Sequence, residues 1–360
     1  MRKPKYNGNW HVIQYDNGIW LFNVLTSKQF ILKENPNVIK GLLRLCNGNK
    51  TTDEIIRQFK SMYPTVKNEQ INHIMETLIK HHIILENDIE NDLGDEYMIG
   101  YERNIEFFSE FETNNITRFE YQKRLRNAKV IIIGVGGIGA TVVQTLISVG
   151  VGNITVVDFD IVERKNLPRQ PIYRISDLGI RKVDAIKNQI NQIKPEVVVN
   201  TINKKITSVE DVKEVIVGHN LVIQACDSPR FLIRRWINEA CIKTKIDFLM
   251  VHSCMIGPLV IPGKTACNTC LEDYIRKSFP LYDQLVKEII NSSYHRPMPF
   301  IGPMVMLSGV IAGMEAIKYI TQYTKPITLN RVITVNPVSG EIRIVRIKRN
   351  KYCATCGNVN

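Results

Sequence analysis

A run of glycines set between two apolar segments constrains this chain more than any other feature. Val130-Ile131-Ile132-Ile133 is a β-branched stretch suited to a strand buried on both faces, and it leads directly into Gly134-Val135-Gly136-Gly137-Ile138-Gly139. Val142, Val143, Leu146 and Ile147 then recur at helical spacing. A strand that turns into a helix through residues without side chains leaves backbone N–H groups free to meet an anion at the positive end of the helix. Gly134, Gly136, Gly137 and Gly139 are therefore expected to cradle a phosphate. A second apolar strand, Ile154 to Val157, ends at Asp158, and a carboxylate about 20 residues beyond the glycines is placed to take ribose hydroxyls. The pattern implies a nucleotide without saying which, since a dinucleotide oxidoreductase carries it too and a mere packing turn imitates it.

Downstream the apolar pattern keeps alternating. Strands are predicted at Val197 to Val199, Leu221 to Ala225 and Phe248 to Val251, with helices at Ile180 to Ile193 and Phe231 to Lys243 between them. That order specifies an α/β fold with a doubly wound, Rossmann-like parallel sheet. A helical region from Arg103 to Asn127 leads into it.

Residues 1 to about 88 read as a small separate α+β unit of winged-helix-like order. Trp10 to Tyr15 and Trp20 to Leu25 suit two strands around an Asn17-Gly18 turn, and helices follow at Val38 to Cys46, Thr52 to Tyr63 and Glu69 to His81. Thr52 with Glu54 suits a capped helix start. A hairpin with an open edge can receive an extended peptide by strand addition, although a folding accessory or a dimer arm has the same pattern. Glu86 to Glu96 holds six acidic residues, interspersed with Asn87, Asn91 and Gly94, and reads as a solvated linker. The expected domains are 1–95 and 96–360.

The formal charge of +12 admits nucleic acid or a membrane surface as partner, but the basic residues are dispersed. The densest stretch, Arg343 to Lys351, alternates with Ile and Val as a solvated strand face does. No nucleic-acid partner is expected. Met1-Arg2-Lys3-Pro4-Lys5 leads into polar residues rather than a secretory signal. Val130 to Gly152 is weakly polar enough to imitate a membrane span, yet its glycines and Gln144 suit a buried strand, turn and helix. A cytoplasmic protein without membrane partners is expected.

Eight cysteines in that compartment should be thiols or metal ligands. Four fall as Cys267-x-x-Cys270 and Cys353-x-x-Cys356, and two such knuckles make a tetrahedral four-sulfur zinc site. With no position left open, that zinc would be structural. Cys46, Cys226, Cys241 and Cys254 suit buried small apolar positions. The neighbours His252 and Ser253 read as packing at a strand end rather than as a nucleophilic pair.

Asp158-Phe159-Asp160 is followed by Asn166-Leu167-Pro168-Arg169-Gln170, by Gly179-Ile180-Arg181-Lys182, and by Ala225-Cys226-Asp227-Ser228-Pro229 after a later strand. This ordered set resembles the adenylating enzymes that activate ubiquitin and the sulfur-carrier proteins of thiamine and molybdopterin synthesis. The resemblance implies ATP or CTP with Mg²⁺, and a carboxylate that attacks the α-phosphate. Arg169 and Lys182 would offset the growing charge, Asp227 would hold Mg²⁺, and Asn166 would orient the phosphates. Asp158, Asp160 and Gln170 would complete the nucleotide contacts. Tyr101-Glu102-Arg103-Asn104 resembles a segment whose arginine reaches a partner's phosphates, with Gly100 in place of a leading Arg. It implies a homodimer with Arg103 supplied in trans.

Two features narrow the branch. The region from Cys270 to Gly302, with Tyr274, Tyr282, Tyr294 and His295, has no cysteine where thioester- or persulfide-forming relatives place one. No covalent relay is expected. The N-terminal unit, Gly257 to Thr265 and the terminal Cys356-Gly357 resemble the microcin C type of maturation enzyme, in which an N-terminal domain holds the leader of a ribosomally made precursor peptide. The implied activity is nucleotidyl transfer to the C-terminal carboxylate or carboxamide of such a peptide. A non-catalytic leader-binding partner of an azole-forming cyclodehydratase and an activator of a sulfur-carrier protein are the alternatives.

Overall fold

A computed structural model describes residues 3–16, 18–86, 92–113, 115–292 and 300–357. The chain forms two compact units, Met1–Phe119 and Glu120–Asn360.

The first unit runs β1 Pro4–Tyr6, β2 Trp10–Tyr15, β3 Gly18–Asn23, β4 Gln29–Leu32, α1 Pro36–Leu45, α2 Thr52–Met62, α3 Asn68–Lys80, β5 Ile84–Glu86, α4 Asp95–Gly100 and α5 Glu102–Ser109. β2, β3 and β4 form an antiparallel sheet, and β1 pairs with β5. Tyr15 faces Gly18, so Gly18 belongs to the strand rather than to the turn that the Asn-Gly dipeptide suggests. Asn17 itself lies outside the described residues, as do Asn87 and Asn91 of the acidic stretch. Thr51, not Thr52, caps α2: its side chain accepts from the Glu54 N–H while the Glu54 carboxylate accepts from the Thr51 N–H. Ile19 and Leu21 of β3 pack with Ile39, Leu42, Ile55, Phe59, Ile71, Ile74 and Leu78 from the three helices.

One buried acid closes this unit. The Glu110 carboxylate accepts the side-chain amides of Asn7 at 2.7 Å, Asn9 at 3.1 Å and Asn23 at 2.8 Å. It ties the chain after α5 to both ends of the β2–β3 hairpin.

The second unit begins within α6 Arg118–Asn127. It continues β6 Lys129–Ile133, α7 Gly137–Ser148, β7 Asn153–Val157, α8 Lys182–Ile193, β8 Val198–Ile202, α9 Val209–Ile216, β9 Leu221–Gln224, α10 Leu232–Thr244, β10 Phe248–His252, β11 Met255–Val260, α11 Asn268–Ser278, α12 Tyr282–Asn291, α13 Gly302–Thr321, β12 Arg331–Val335 and β13 Ile342–Arg346. The sheet order is β13-β12-β11-β10-β9-β6-β7-β8. β10, β9, β6, β7 and β8 are parallel, as the alternation requires, and β11 to β13 extend the sheet antiparallel. The chain leaves β6 toward β7 and β8 on one side and returns to β9 and β10 on the other. Crevices for ligands open at such a reversal, outside the carboxyl ends of the strands.

The segment that imitates a membrane span is β6 with α7, and it is buried in this sheet. Among the described residues one helix, α13, is long and apolar enough to cross a membrane, and half of that window is buried inside the protein. α13 lies along α7, where a side chain at Gly309 would collide with Thr141 and one at Gly313 with Thr145.

Glu110→Ala would strand three amide donors in the first unit, at a cost of about 3 kcal/mol. Trp10 and Trp20 sit in that unit, so urea unfolding followed by tryptophan fluorescence measures the loss, and a change below about 1 kcal/mol would contradict this account.

Candidate active site

The crevice is built from the glycine turn outward. Gly134 has φ +90°, a conformation open to glycine, and a Cβ there would lie 2.7 Å from the Cys226 Cβ. A Cβ at Gly139 would land on the Gly134 carbonyl oxygen. Turn, helix start and the end of β9 are thus pressed together with no room for side chains. α7 follows Gly136 as its N-cap, with no side chain among the described residues capping its first turn, so those N–H groups remain for a ligand.

Two contacts fix the turn from either side. The Asp158 carboxylate accepts the Val135 N–H at 2.8 Å and the Asp160 N–H at 2.9 Å. Burial pushes its pKa up, against the pull of Lys182 and these two donors. The buried Tyr173 hydroxyl donates to the Val135 carbonyl at 2.6 Å. Nothing in the sequence singled out Tyr173, because its role exists only where two distant loops meet.

The Asn166–Gln170 turn covers the glycines. Asn166 is buried, and its side-chain oxygen accepts the Glu163 N–H at 2.8 Å, so that oxygen shapes the turn itself. The Arg169 carbonyl would be 2.5 Å from a Cβ at Gly137. Its half-buried guanidinium makes no hydrogen bond or ion pair among the described residues. Gln170 is buried, its Nε2 is 3.8 Å from the Cβ position at Gly136, and its Oε1 has no partner among the described residues. Lys182, the first residue of α8, is buried with its ammonium 2.8 Å from Asp160. Asp227 stands exposed beyond β9, making no ion pair among the described residues. An exposed carboxylate at a phosphate crevice suits a cation that keeps several waters and takes one or two carboxylates.

The structure thus gathers Gly134, Gly136, Gly137, Gly139, Asp158, Asp160, Asn166, Arg169, Gln170, Lys182 and Asp227 around the carboxyl ends of β6, β7 and β9. Arg103 belongs to the first unit, on α5, with its side chain 90% exposed and 3.1 Å from Glu106. Tyr294 and His295 lie outside the described residues.

The four cysteines also converge. Cys267, Cys270, Cys353 and Cys356 are buried, with all sulfurs within 4.8 Å of one another. Individual separations are 4.0 Å for Cys267–Cys270, 3.7 Å for Cys267–Cys353 and 3.6 Å for Cys270–Cys356. Tetrahedral zinc with bonds of about 2.3 Å sets its sulfurs about 3.8 Å apart, close to these three separations, so the set suits a zinc ion. The Asn350 N–H also reaches the Cys270 sulfur at 3.4 Å, the kind of donor that steadies a thiolate.

A glycine turn at the reversal of a doubly wound sheet, with cations and a carboxylate around it and a four-cysteine knuckle behind that could hold a metal, defines a doubly wound α/β protein. Residues 101–355 match the model described as "ThiF family". That is more than two thirds of the chain, which therefore belongs to the ThiF family. It is 26% identical over 270 residues to the molybdopterin-synthase adenylyltransferase of Escherichia coli K12, covering 74% of this chain and 99% of that protein. It is 27% identical over 246 residues to Protein HesA of a Nostoc species, covering 66% of this chain and 88% of that one. In fold it is similar to E. coli MccB crystallised with AMPCPP and MccA, at TM-score 0.78 and 22% identity, over 99% of this chain and 100% of that one.

Cys353→Ser should lower bound zinc, counted by elemental analysis of purified protein, from one per chain to under about a tenth. Full zinc retention would remove the metal assignment.

Proposed function

We propose that this chain holds a short ribosomally made precursor peptide through residues 1–88 and activates its C-terminal carboxylate or carboxamide with ATP or CTP, releasing pyrophosphate. At the coarser level, it is an ATP-using adenylyltransferase of the ThiF family. The observation that carries the reading is the set of groups left open at the crevice. An uncapped helix start, the Arg169 guanidinium without a partner among the described residues, the buried Lys182 ammonium and the exposed Asp227 carboxylate answer to a triphosphate and its cation.

In the reaction an oxygen of the substrate attacks the α-phosphorus, the bond to the bridging oxygen breaks, and pyrophosphate leaves with the electron pair. Negative charge builds on the phosphoryl oxygens. Arg169 and Lys182 would offset it, Lys182 exchanging part of its bond to Asp160 for one to phosphate. Asp227 would hold Mg²⁺, which neutralises phosphate charge and orients the leaving group. Asp158 would take the ribose, and Arg103 would reach the phosphates of a second copy in a homodimer. A scaffold without catalysis has no physical need for this set, which weighs against the cyclodehydratase-partner alternative.

Peptide rather than carrier protein is favoured by the first unit. The likeness to MccB, solved in complex with N-formylated MccA, extends over 99% of this chain, and so includes that unit. The curated relatives by sequence include molybdopterin-synthase adenylyltransferases, so a sulfur-carrier protein is the second reading.

Purified protein incubated with a precursor peptide encoded beside its gene and with ATP or CTP should release pyrophosphate and yield a peptide heavier by one nucleotidyl group. Neither signal with either nucleotide would sink the peptide reading, and turnover of a small carrier ending in Gly-Gly would favour the second. Lys182→Ala and Asp227→Asn should each lower kcat about 100-fold or more, with thermal unfolding little changed for Asp227→Asn.

A further inference from the structure

The carboxyl end of the sheet holds one more polar corner, to which none of the roles above belongs. Asp158 follows β7, the glycine turn follows β6, Asp227 follows β9, and His252 ends β10. With ribose at the first of these and phosphates at the second and third, the fourth strand end is left for the group that meets the phosphate.

Phe231, just before α10, has φ +63°, a conformation that bulky residues avoid. Its ring faces the Arg234 guanidinium, 4.3 Å from the ring centroid, and meets Tyr282 of α12 edge-on at 6.1 Å. Phe231, Tyr282 and Val286 form a small buried cluster. The two adjacent arginines are treated differently. Arg235 is engaged by Glu272 through bonds of 3.1 and 2.8 Å, whereas Arg234 makes no hydrogen bond or ion pair among the described residues. Burial pushes the Arg234 pKa down, and the nearby Tyr282 and Glu272 only partly oppose it. The Tyr282 hydroxyl and His252 Nε2 are buried as well, and neither has a hydrogen-bond partner among the described residues. Burial, and then the nearby Arg234 charge, push the His252 pKa down to about 3, so the imidazole is neutral at working pH.

We propose that Arg234, His252 and Tyr282 form the subsite for the terminal residue of the activated substrate, Arg234 holding its carboxylate and the other two its polar side chain. This rests on the acyl-activation reading above. A planar guanidinium matches a carboxylate with two parallel bonds. Neutral His252 offers either a donor or an acceptor at Nε2, and Tyr282 offers both. A carboxamide side chain carries donor and acceptor together and satisfies either tautomer. A cationic side chain is repelled by Arg234. Phe231 is a positioning residue, its ring holding Arg234 over its face and meeting Tyr282 at a near-perpendicular angle.

The test uses the full chain and three small probes, N-acetyl-asparagine, its C-terminal amide, and N-acetyl-alanine, with saturation-transfer NMR for probe binding and separate titration of ATP. The native chain should bind N-acetyl-asparagine at least about tenfold more tightly than either other probe. Arg234→Gln should abolish the preference for the free acid over the amide, Arg234→Lys should restore part of it, and Tyr282→Phe or His252→Leu should weaken the preference over alanine. ATP affinity should stay within about twofold throughout. Equal probe binding by the native chain and Arg234→Gln would overturn the assignment. So would an equal loss of ATP and probe affinity, which would make Arg234 a phosphate ligand. Should Arg234→Gln fail to fold, Arg234→Lys decides by its free-acid preference. If the native chain binds no ATP, the nucleotide reading itself fails, a result distinct from ATP binding without probe discrimination.

Discussion

Everything at the crevice depends on how closely backbone approaches backbone at the glycine turn. Gly139 sits against the Gly134 carbonyl, and Gly134 sits against Cys226 at the end of β9. Any Cβ at either place would push α7 away from β6 and open the sheet at its reversal. The next layer repeats the device. Gly137 admits the Arg169 carbonyl, and Gly302 at the start of α13 admits that of Pro168. Three chain segments far apart in sequence therefore reach one small volume, and the free N–H groups of α7 point into the space that remains.

Charge is then distributed by whether a partner is available. The buried Lys182 is paired with Asp160, and Arg235 is satisfied by Glu272. Arg169 and Arg234 have no such partner among the described residues, and both stand at the carboxyl end of the parallel strands. Part of the chain's formal excess of +12 thus stands where anionic ligands would bind.

Elements with strong local periodicity were legible in the sequence. β2 falls at the expected residues, and β9, β10, α8 and α10 lie within two residues of theirs. Their apolar positions alternate or recur without competing signals. Three things were not legible. β11 holds Gly257-Pro258, which reads as a break, so β11 and β12 went unforeseen, and of the antiparallel extension only the strand-like alternation from Arg343, where β13 lies, was read. The helical region expected from Arg103 to Asn127 is split into α5 and α6, separated by a tight Thr113–Ile116 bridge that the pattern does not announce. The partners that matter at the site, Tyr173 on the Val135 carbonyl and Arg234 beside Phe231, lie close only because loops fold over the sheet. The motif glycines and acids, by contrast, act through local backbone geometry, which spacing encodes directly.

The metal centre and the crevice share a mechanical path. Cys267 opens α11, and the next residue, Asn268, donates its backbone N–H to Asn238 of α10 at 2.9 Å. One turn on, Glu272 grips Arg235 of the same helix. From the other side, Thr355 meets Thr269 at 2.7 Å, bringing the C-terminal knuckle onto α11. A metal held by the four sulfurs would therefore fix α11 against α10, and α10 begins at the loop that carries Asp227 and Phe231. Loosening the knuckle would leave the glycine turn intact, because α7 and β6 make no use of it, while freeing the helix that aims Arg234. Structural zinc in this fold would thus stabilise the chain as a whole and, through α10, bear on the acceptor side of the crevice more than on the nucleotide side.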